Sequence, residues 1–211
     1  MRIIKLKPLS VCDTNSYIIA SFSGNCVLID APADADYILS QIRLNNLSLK
    51  KILLTHGHFD HIGAVADLVE KTRCDVYIHE EDLEKLLTGD GHVARYFGKD
   101  EVKKVKNVKT IKDDEVIRQD EMQFDVLHTP GHTQGSCCFI IDMNIFTGDT
   151  LFARSVGRTD LPGGDSAVLN ESLKKIYDLM GNLAVYPGHM SSSTLDEERH
   201  YNPYLRGLGS K

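Results

Sequence analysis

The chain has 211 residues, 42% apolar and 26% charged, with 24 Lys plus Arg against 30 Asp plus Glu and a formal charge of −6. That length buries a sizeable core and fits a single domain over residues 1–211, while the acidic balance excludes broad contact with nucleic acid or anionic lipid. No apolar run approaches the roughly 20 residues that span a bilayer, and the start lacks a secretion signal's apolar stretch. Five cysteines, with Cys137 and Cys138 adjacent, argue against a disulfide framework, so a cytoplasmic setting is expected. The unusual count is nine His with no Trp, and His is both metal ligand and proton carrier near neutral pH.

In chain order, short β-rich runs come first: Ile3–Leu6, Ser16–Ala20 and Cys26–Ile29, divided by turn-prone Asp, Asn and Gly. Asp34 caps a helix that runs to Leu44, and Lys51–Leu54 reads as a buried strand. Helices over 62–71 and 80–87 flank a strand at Asp75–Ile78, and this alternation implies a layered α/β domain. Six lysines between 99 and 112 (99, 103, 104, 106, 109, 112) are flanked by Asp100, Glu101, Asp113 and Asp114 and read as a solvated connection with some strand rather than an anion patch. Strands follow at 116–117, 124–127, 138–141 and 144–146. An amphipathic helix at 167–180 and a strand at 183–185 complete the pattern.

The strongest signal is Thr55-His56-Gly57-His58-Phe59-Asp60-His61, directly after the strand at 51–54. Spacing of two puts His56 and His58 on one side of an extended turn, with Asp60 and His61 reaching a neighbouring point. Imidazole and carboxylate together suit zinc, iron or manganese. Three more ligand types each follow a Gly at a strand end: His132 in Pro130-Gly131-His132, Asp149 in Gly148-Asp149, and His189 in Pro187-Gly188-His189. Strand ends of a layered domain converge on one edge, where sites are built. Seven ligands exceed what one tetrahedral ion needs, so two divalent metals are implied. The natural division gives one metal His56, His58 and His132, and the other Asp60, His61 and His189, with Asp149 bridging. Two cations about 4 Å apart acidify a shared water toward hydroxide and polarise an acyl carbonyl. Asp60 and Asp149 are the expected catalytic carboxylates around that hydroxide. The chemistry implied is hydrolysis of an ester, thioester, amide or phosphodiester.

This constellation resembles the metallo-β-lactamase superfamily, whose His-x-His-x-Asp-His motif and later His, Asp and His match positions 56, 58, 60, 61, 132, 149 and 189 in order. The resemblance implies a four-layer αββα sandwich of two mixed sheets with helices outside. It also implies a role for Asp30 in supporting the ligands. Common β-lactamases carry Cys where Asp149 stands and flavodiiron proteins carry Glu where His58 stands, so neither activity is expected. Gly148-Asp149-Thr150-Leu151-Phe152, Gly157-Arg158-Thr159-Asp160 and the tail around Glu197–Pro203 resemble the glyoxalase II branch. That likeness implies cleavage of a small anionic thioester such as S-D-lactoylglutathione, with two metals, zinc foremost and iron or manganese as alternatives. Arg158, and less strongly Arg154, would contact the substrate's anionic part; equally, Arg158 and Asp160 would form a pair that holds their loop. The chain after His189 is too short for the helical domain of full-length glyoxalase II, so the short bacterial branch is the nearer match. Persulfide dioxygenases also carry Gly-Arg-Thr-Asp but bind one iron through the equivalents of His56, His132 and Asp149, and stand as the alternative. Outside the motif, His79, His92 and His200 are expected at the surface, and His128 as a hydrogen-bonded strand-end residue.

Overall fold

In the computed structural model, residues 1–9, 12–98, 102–105 and 107–208 are described. Lys99, Asp100, Glu101 and Lys106 of the lysine-rich stretch lie outside them. Two six-stranded sheets stack face to face. The first contains β1 (Arg2–Lys5), β2 (Tyr17–Ala20), β3 (Asn25–Ile29), β4 (Ser48–Leu53), β5 (Asp75–His79) and β6 (Lys109–Ile111), side by side in chain order. β1, β2 and β3 are antiparallel, and β3 to β6 run parallel. The second contains β7 (Val116–Gln119), β8 (Met122–His128), β9 (Cys137–Ile141), β10 (Asn144–Gly148), β13 (Ala184–Pro187) and β14 (Ser193–Thr194), in the order β14-β13-β10-β9-β8-β7. It is antiparallel except between β10 and β13. β11 (Leu151–Phe152) and β12 (Ser155–Val156) form a small separate ribbon.

Three apolar layers follow from side-chain alternation along the strands. Tyr17, Ile19, Val27 and Ile29 of the first sheet meet Phe124, Val126, Phe139 and Phe146 of the second. The alternate residues Ile18, Cys26 and Leu28 face outward against Ile38 and Ile42 of α1 (Ala35–Leu44) and Val65 and Leu68 of α3 (Val65–Thr72). On the opposite outside, Cys138, Ile145 and Val185 pack on α6 (Ser166–Tyr177) and Leu195 of α7 (Leu195–Tyr201). The expected αββα sandwich is therefore present. Because both faces of the sheets are covered, strands such as β2 are buried throughout.

The helix expected at 62–71 is two pieces, α2 (Phe59–Ile62) and α3. The one expected at 80–87 opens with a single 3₁₀ turn, Glu80–Asp82, before α4 (Leu83–Thr88). α5 (Gly91–Tyr96), α7, the β11–β12 ribbon and β14 had no recognisable sequence pattern, being two to seven residues long. In the lysine-rich stretch, Lys103, Lys109 and Lys112 reach Asp67, Asp75 and Glu80 at 2.5–3.2 Å, and β6 supplies the strand. Cys137 and Cys138 are both buried, on opposite faces of β9. His92 and His200 are exposed. His79 is not at the surface as expected: it is 4% exposed, because it ends an interior parallel strand and its ring is covered by that of His128. No helix among the described residues is long and apolar enough to cross a membrane.

Candidate metal centre

The seven motif residues lie at the ends of strands from both sheets. The loop after β4 carries His56 and His58, and the one-turn α2 presents Asp60 and His61. β8, β10 and β13 lead into His132, Asp149 and His189. Two glycines make the convergence possible. Gly148 takes a left-handed φ of 49° before Asp149. Gly188 lies so near the centre that an added Cβ would collide with Asp149 Oδ1 and reach His61 Cε1 at 2.7 Å.

Ligand-type atoms of His56, His58 and His132 lie within 4.8 Å of one another, as do those of Asp60, His61 and His189. Asp149 stands between the groups. Its Oδ1 is 3.3 Å from His61 Nε2, and its Oδ2 is 3.5 Å from His132 Nε2 and 3.2 Å from His189 Nε2. Five buried side-chain N or O atoms among the described residues lack a hydrogen-bond partner. Four belong here: His56 Nε2, His58 Nε2, His61 Nε2 and Asp149 Oδ1. Leaving such atoms unpaired costs about 1–3 kcal/mol each. Unpaired lone pairs on His56, His61 and Asp149 at the centre of the cluster are what a cation satisfies, so the donor set fits a metal.

Four of the five imidazoles are oriented from behind. His61 Nδ1 donates to Asp30 Oδ2 at 2.8 Å, and Asp30 also accepts from Thr55 N and Oγ1, both at 2.8 Å. Asp30 takes a left-handed φ of 55°, a conformation Asp tolerates better than most residues, to turn its carboxylate inward. His132 Nδ1 donates to the carbonyl of Arg158 at 2.7 Å, and His189 Nδ1 to that of Cys12 at 3.0 Å. His56 Nδ1 meets Thr55 Oγ1 at 3.2 Å. These bonds leave Nε2 of all four rings facing the centre. His58 is turned the other way, with Nδ1 2.9 Å from His132 Nε2. Thr14 Oγ1 donates to Asp60 Oδ2 at 2.8 Å.

The electrostatics divide the cluster. Burial, reinforced by neighbouring imidazoles, pushes the pKa of His56 and of His58 well below the ordinary value, so both stay neutral. Burial also opposes protonation of His61, but Asp149, Asp30 and Asp60 together outweigh it and hold its pKa well above 6.5. His189 is raised in the same way, chiefly by Asp149 against burial. Burial works to raise Asp149, yet His61 and His189 overcome it and keep the carboxylate ionised.

Two buried acids escaped the sequence reading. Asp82 accepts from Gly57 N (2.8 Å), Thr133 Oγ1 (2.7 Å), Gly135 N (3.1 Å) and Lys85 Nζ (2.7 Å), tying the His56–His58 loop to the His132 loop. Asp90 accepts from Phe59 N at 2.9 Å, and burial raises its pKa to about 7. Neither sits in a motif.

A cavity of about 100 Å³ opens beside the centre, walled by Phe59, Val93, Phe97 and Leu161, with Arg158 at its edge. Arg158 is bound bidentately to Asp160 (2.7 Å twice) and lies over the Phe97 ring at 5.6 Å, so the loop-holding pair is what the structure contains. Arg154 is outside that lining. Its guanidinium rests over Tyr201 at 5.4 Å and its backbone N–H donates to Glu198, because the turn between β11 and β12 directs it toward α7.

Residues 9–189 match the model of the metallo-beta-lactamase superfamily, and the chain belongs to that family of metal-dependent hydrolases. A Haemophilus influenzae protein named hydroxyacylglutathione hydrolase GloC is 32% identical, the match covering 96% of this chain and 97% of that one. Among solved structures, TTHA1623 in a di-iron-bound form is 37% identical with a TM-score of 0.87, covering 96% of this chain and 100% of the other. The BLEG-1 B3 metallo-beta-lactamase is 32% identical with a TM-score of 0.90, covering 97% and 99%. ETHE1 from Myxococcus xanthus is 29% identical with a TM-score of 0.82, covering 98% and 85%.

Proposed function

We propose that the protein is a dinuclear-metal hydrolase of the glyoxalase II type, cleaving a small thioester such as S-D-lactoylglutathione. The observation that carries the dinuclear reading is the position of Asp149, one carboxylate within 3.5 Å of imidazoles from both triads. His56, His58 and His132 would hold one ion, Asp60, His61 and His189 the other, with Asp149 shared. Bound there, divalent cations supply Lewis acidity, acidifying water and polarising an acyl carbonyl. Zinc suits these donors, and the di-iron form of TTHA1623 makes iron the main competitor.

The chain's own residues do the rest. Asp30, the Arg158 carbonyl and the Cys12 carbonyl fix the ring tautomers, so no reorientation is required at the moment of reaction. The wall of Phe59, Val93, Phe97 and Leu161 excludes water on one side and admits a small acyl group. Arg158, at the cavity edge, would meet the anionic thiol portion, exchanging Asp160 for a substrate carboxylate. That exchange is inexpensive, since an exposed ion pair is worth about 1 kcal/mol or less. The name of the Haemophilus relative supports this substrate class.

A second reading, a mononuclear iron persulfide dioxygenase, rests on the Gly157-Arg158-Thr159-Asp160 segment. The deciding experiment measures metal content of the purified protein together with lactoylglutathione cleavage, persulfide-dependent oxygen uptake and β-lactam cleavage. The last is included because of the BLEG-1 likeness. Two metals with thioester cleavage uphold the proposal. One iron with oxygen uptake, or β-lactam turnover without thioester turnover, overturns it.

A further inference from the structure

Outside the central cluster, one other set of described side chains brings imidazoles and a carboxylate together. His79 ends β5 of the first sheet and His128 ends β8 of the second, so the two rings meet across the sandwich. They stack with centroids 3.8 Å apart and planes 11° apart. Glu81 lies two residues beyond His79, on the 3₁₀ turn. One ligand-type atom from each of the three residues falls within 4.8 Å of the others.

The charges around them point the same way. The turn carries Glu80, Glu81 and Asp82. Lys112 reaches Glu80 at 3.2 Å and Lys85 reaches Asp82 at 2.7 Å. Among the described residues, the only basic group within 4.0 Å of the Glu81 carboxylate is His128, at 3.8 Å. Two rings stacked this closely cannot both carry a proton comfortably, and burial with the neighbouring His128 lowers the pKa of His79. A neutral, well-buried imidazole faces a partner imidazole and a carboxylate that no lysine or arginine has claimed.

We propose that His79, Glu81 and His128 form a second metal site, separate from the central one, for a borderline divalent transition ion such as Cu²⁺, Ni²⁺ or Zn²⁺. Two nitrogens and one carboxylate oxygen are the donors these ions select, whereas Mg²⁺ and Ca²⁺ require oxygen alone. His79 is fixed by burial, and the adjustable ligands are Glu81, which is exposed, and His128, which is partly exposed. To coordinate, the His128 ring turns out of the stack and gives up its bond to the Gln134 carbonyl, 2.8 Å from Nε2. The affinity order follows the usual divalent series, with Cu²⁺ tightest. Asp82, next to Glu81, ties together the His56–His58 and His132 loops, so an ion here would also stiffen that brace.

The test titrates Cu²⁺ into zinc-loaded protein and reads bound copper by elemental analysis and electron paramagnetic resonance. The wild-type chain should take up one more equivalent than His128→Gln, with nitrogen splitting from two imidazoles that the variant lacks. Glu81→Gln, at an exposed position, should weaken this equivalent by about tenfold or more. His200→Gln, an exposed histidine elsewhere, should leave it unchanged. Hydrolytic turnover of the zinc-loaded protein should be the same in all three variants. Equal copper uptake and equal spectra in wild type and His128→Gln would overturn the proposal. If that variant does not fold, unchanged affinity in Glu81→Gln would overturn it instead.

Discussion

The two ligand triads differ in what stands behind them. The rings of His56 and His132 are met from behind by neutral groups, the Thr55 hydroxyl and the Arg158 carbonyl, and the one carboxylate that braces their loops, Asp82, acts through the backbone of Gly57 and Gly135. Asp60, His61 and His189 share their space with carboxylates, Asp30 behind His61 and Asp149 in front. Burial therefore lowers the pKa of His56 and His58 in the first triad, while the carboxylates around His61 and His189 raise theirs in the second. The same residue type serves opposite electrostatic ends, and the difference lies in the second row of atoms rather than in the ligands.

Substitutions can break or sharpen that contrast. The largest effect is expected of His58→Ala, which should reduce thioester turnover by more than about 100-fold, beyond the usual effect of a supporting residue, and lower metal content measured elementally. If Asp149→Ala kept near-normal turnover, the shared-carboxylate assignment would be wrong. Asp30→Asn removes the charge that contacts His61 directly and reaches His56 only through the Thr55 hydroxyl. Activity should fall about 10–100-fold, with metal lost from the second triad while the first retains its own.

Asp82→Asn tests the brace of the first triad. Each carboxylate oxygen accepts two donors, so whichever way an amide turns, its NH₂ group meets two of them. Stability should drop by about 3 kcal/mol in denaturant unfolding. Asp90→Asn removes an ionisation. The native pKa of about 7 lies above the ordinary 3.8, so its contribution is full below pH 3.8 and lost as pH rises through 7. The variant should therefore gain stability over wild type between pH 5 and pH 8, by roughly 2 kcal/mol. A thermal unfolding series in which the two curves stay parallel would refute this. The smallest effect belongs to Arg158→Ala, which should raise KM several-fold and leave kcat nearly unchanged, given how exposed its ion pair is.

Much of the fold and the ligand set could be read in advance because both depend on residue identity at fixed spacing. Short continuous apolar runs mark β2, β3 and β9. His, Asp and Gly after strand ends mark the residues that the structure gathers at one edge. What could not be read depends on atoms that every residue carries, or on partners distant in the chain. The carbonyls of Arg158 and Cys12 orient two imidazoles without any signature in their side chains. Asp82 looks like one acid among three in a polar turn, and its four donors come from three separate segments. His79 reads as surface because its stacking partner is 49 positions away and on the other sheet.

The central cluster takes four of its residues from loops of the first sheet and three from loops of the second. Ions gripped from both sides would fasten the sandwich along one edge. A ligand at a thousandfold its dissociation constant adds about 4 kcal/mol to the folded state. The supply of metal to the cell would then govern the lifetime of the protein against proteases as well as its rate of turnover. Starvation for the ion would be registered as a loosened edge together with lost catalysis.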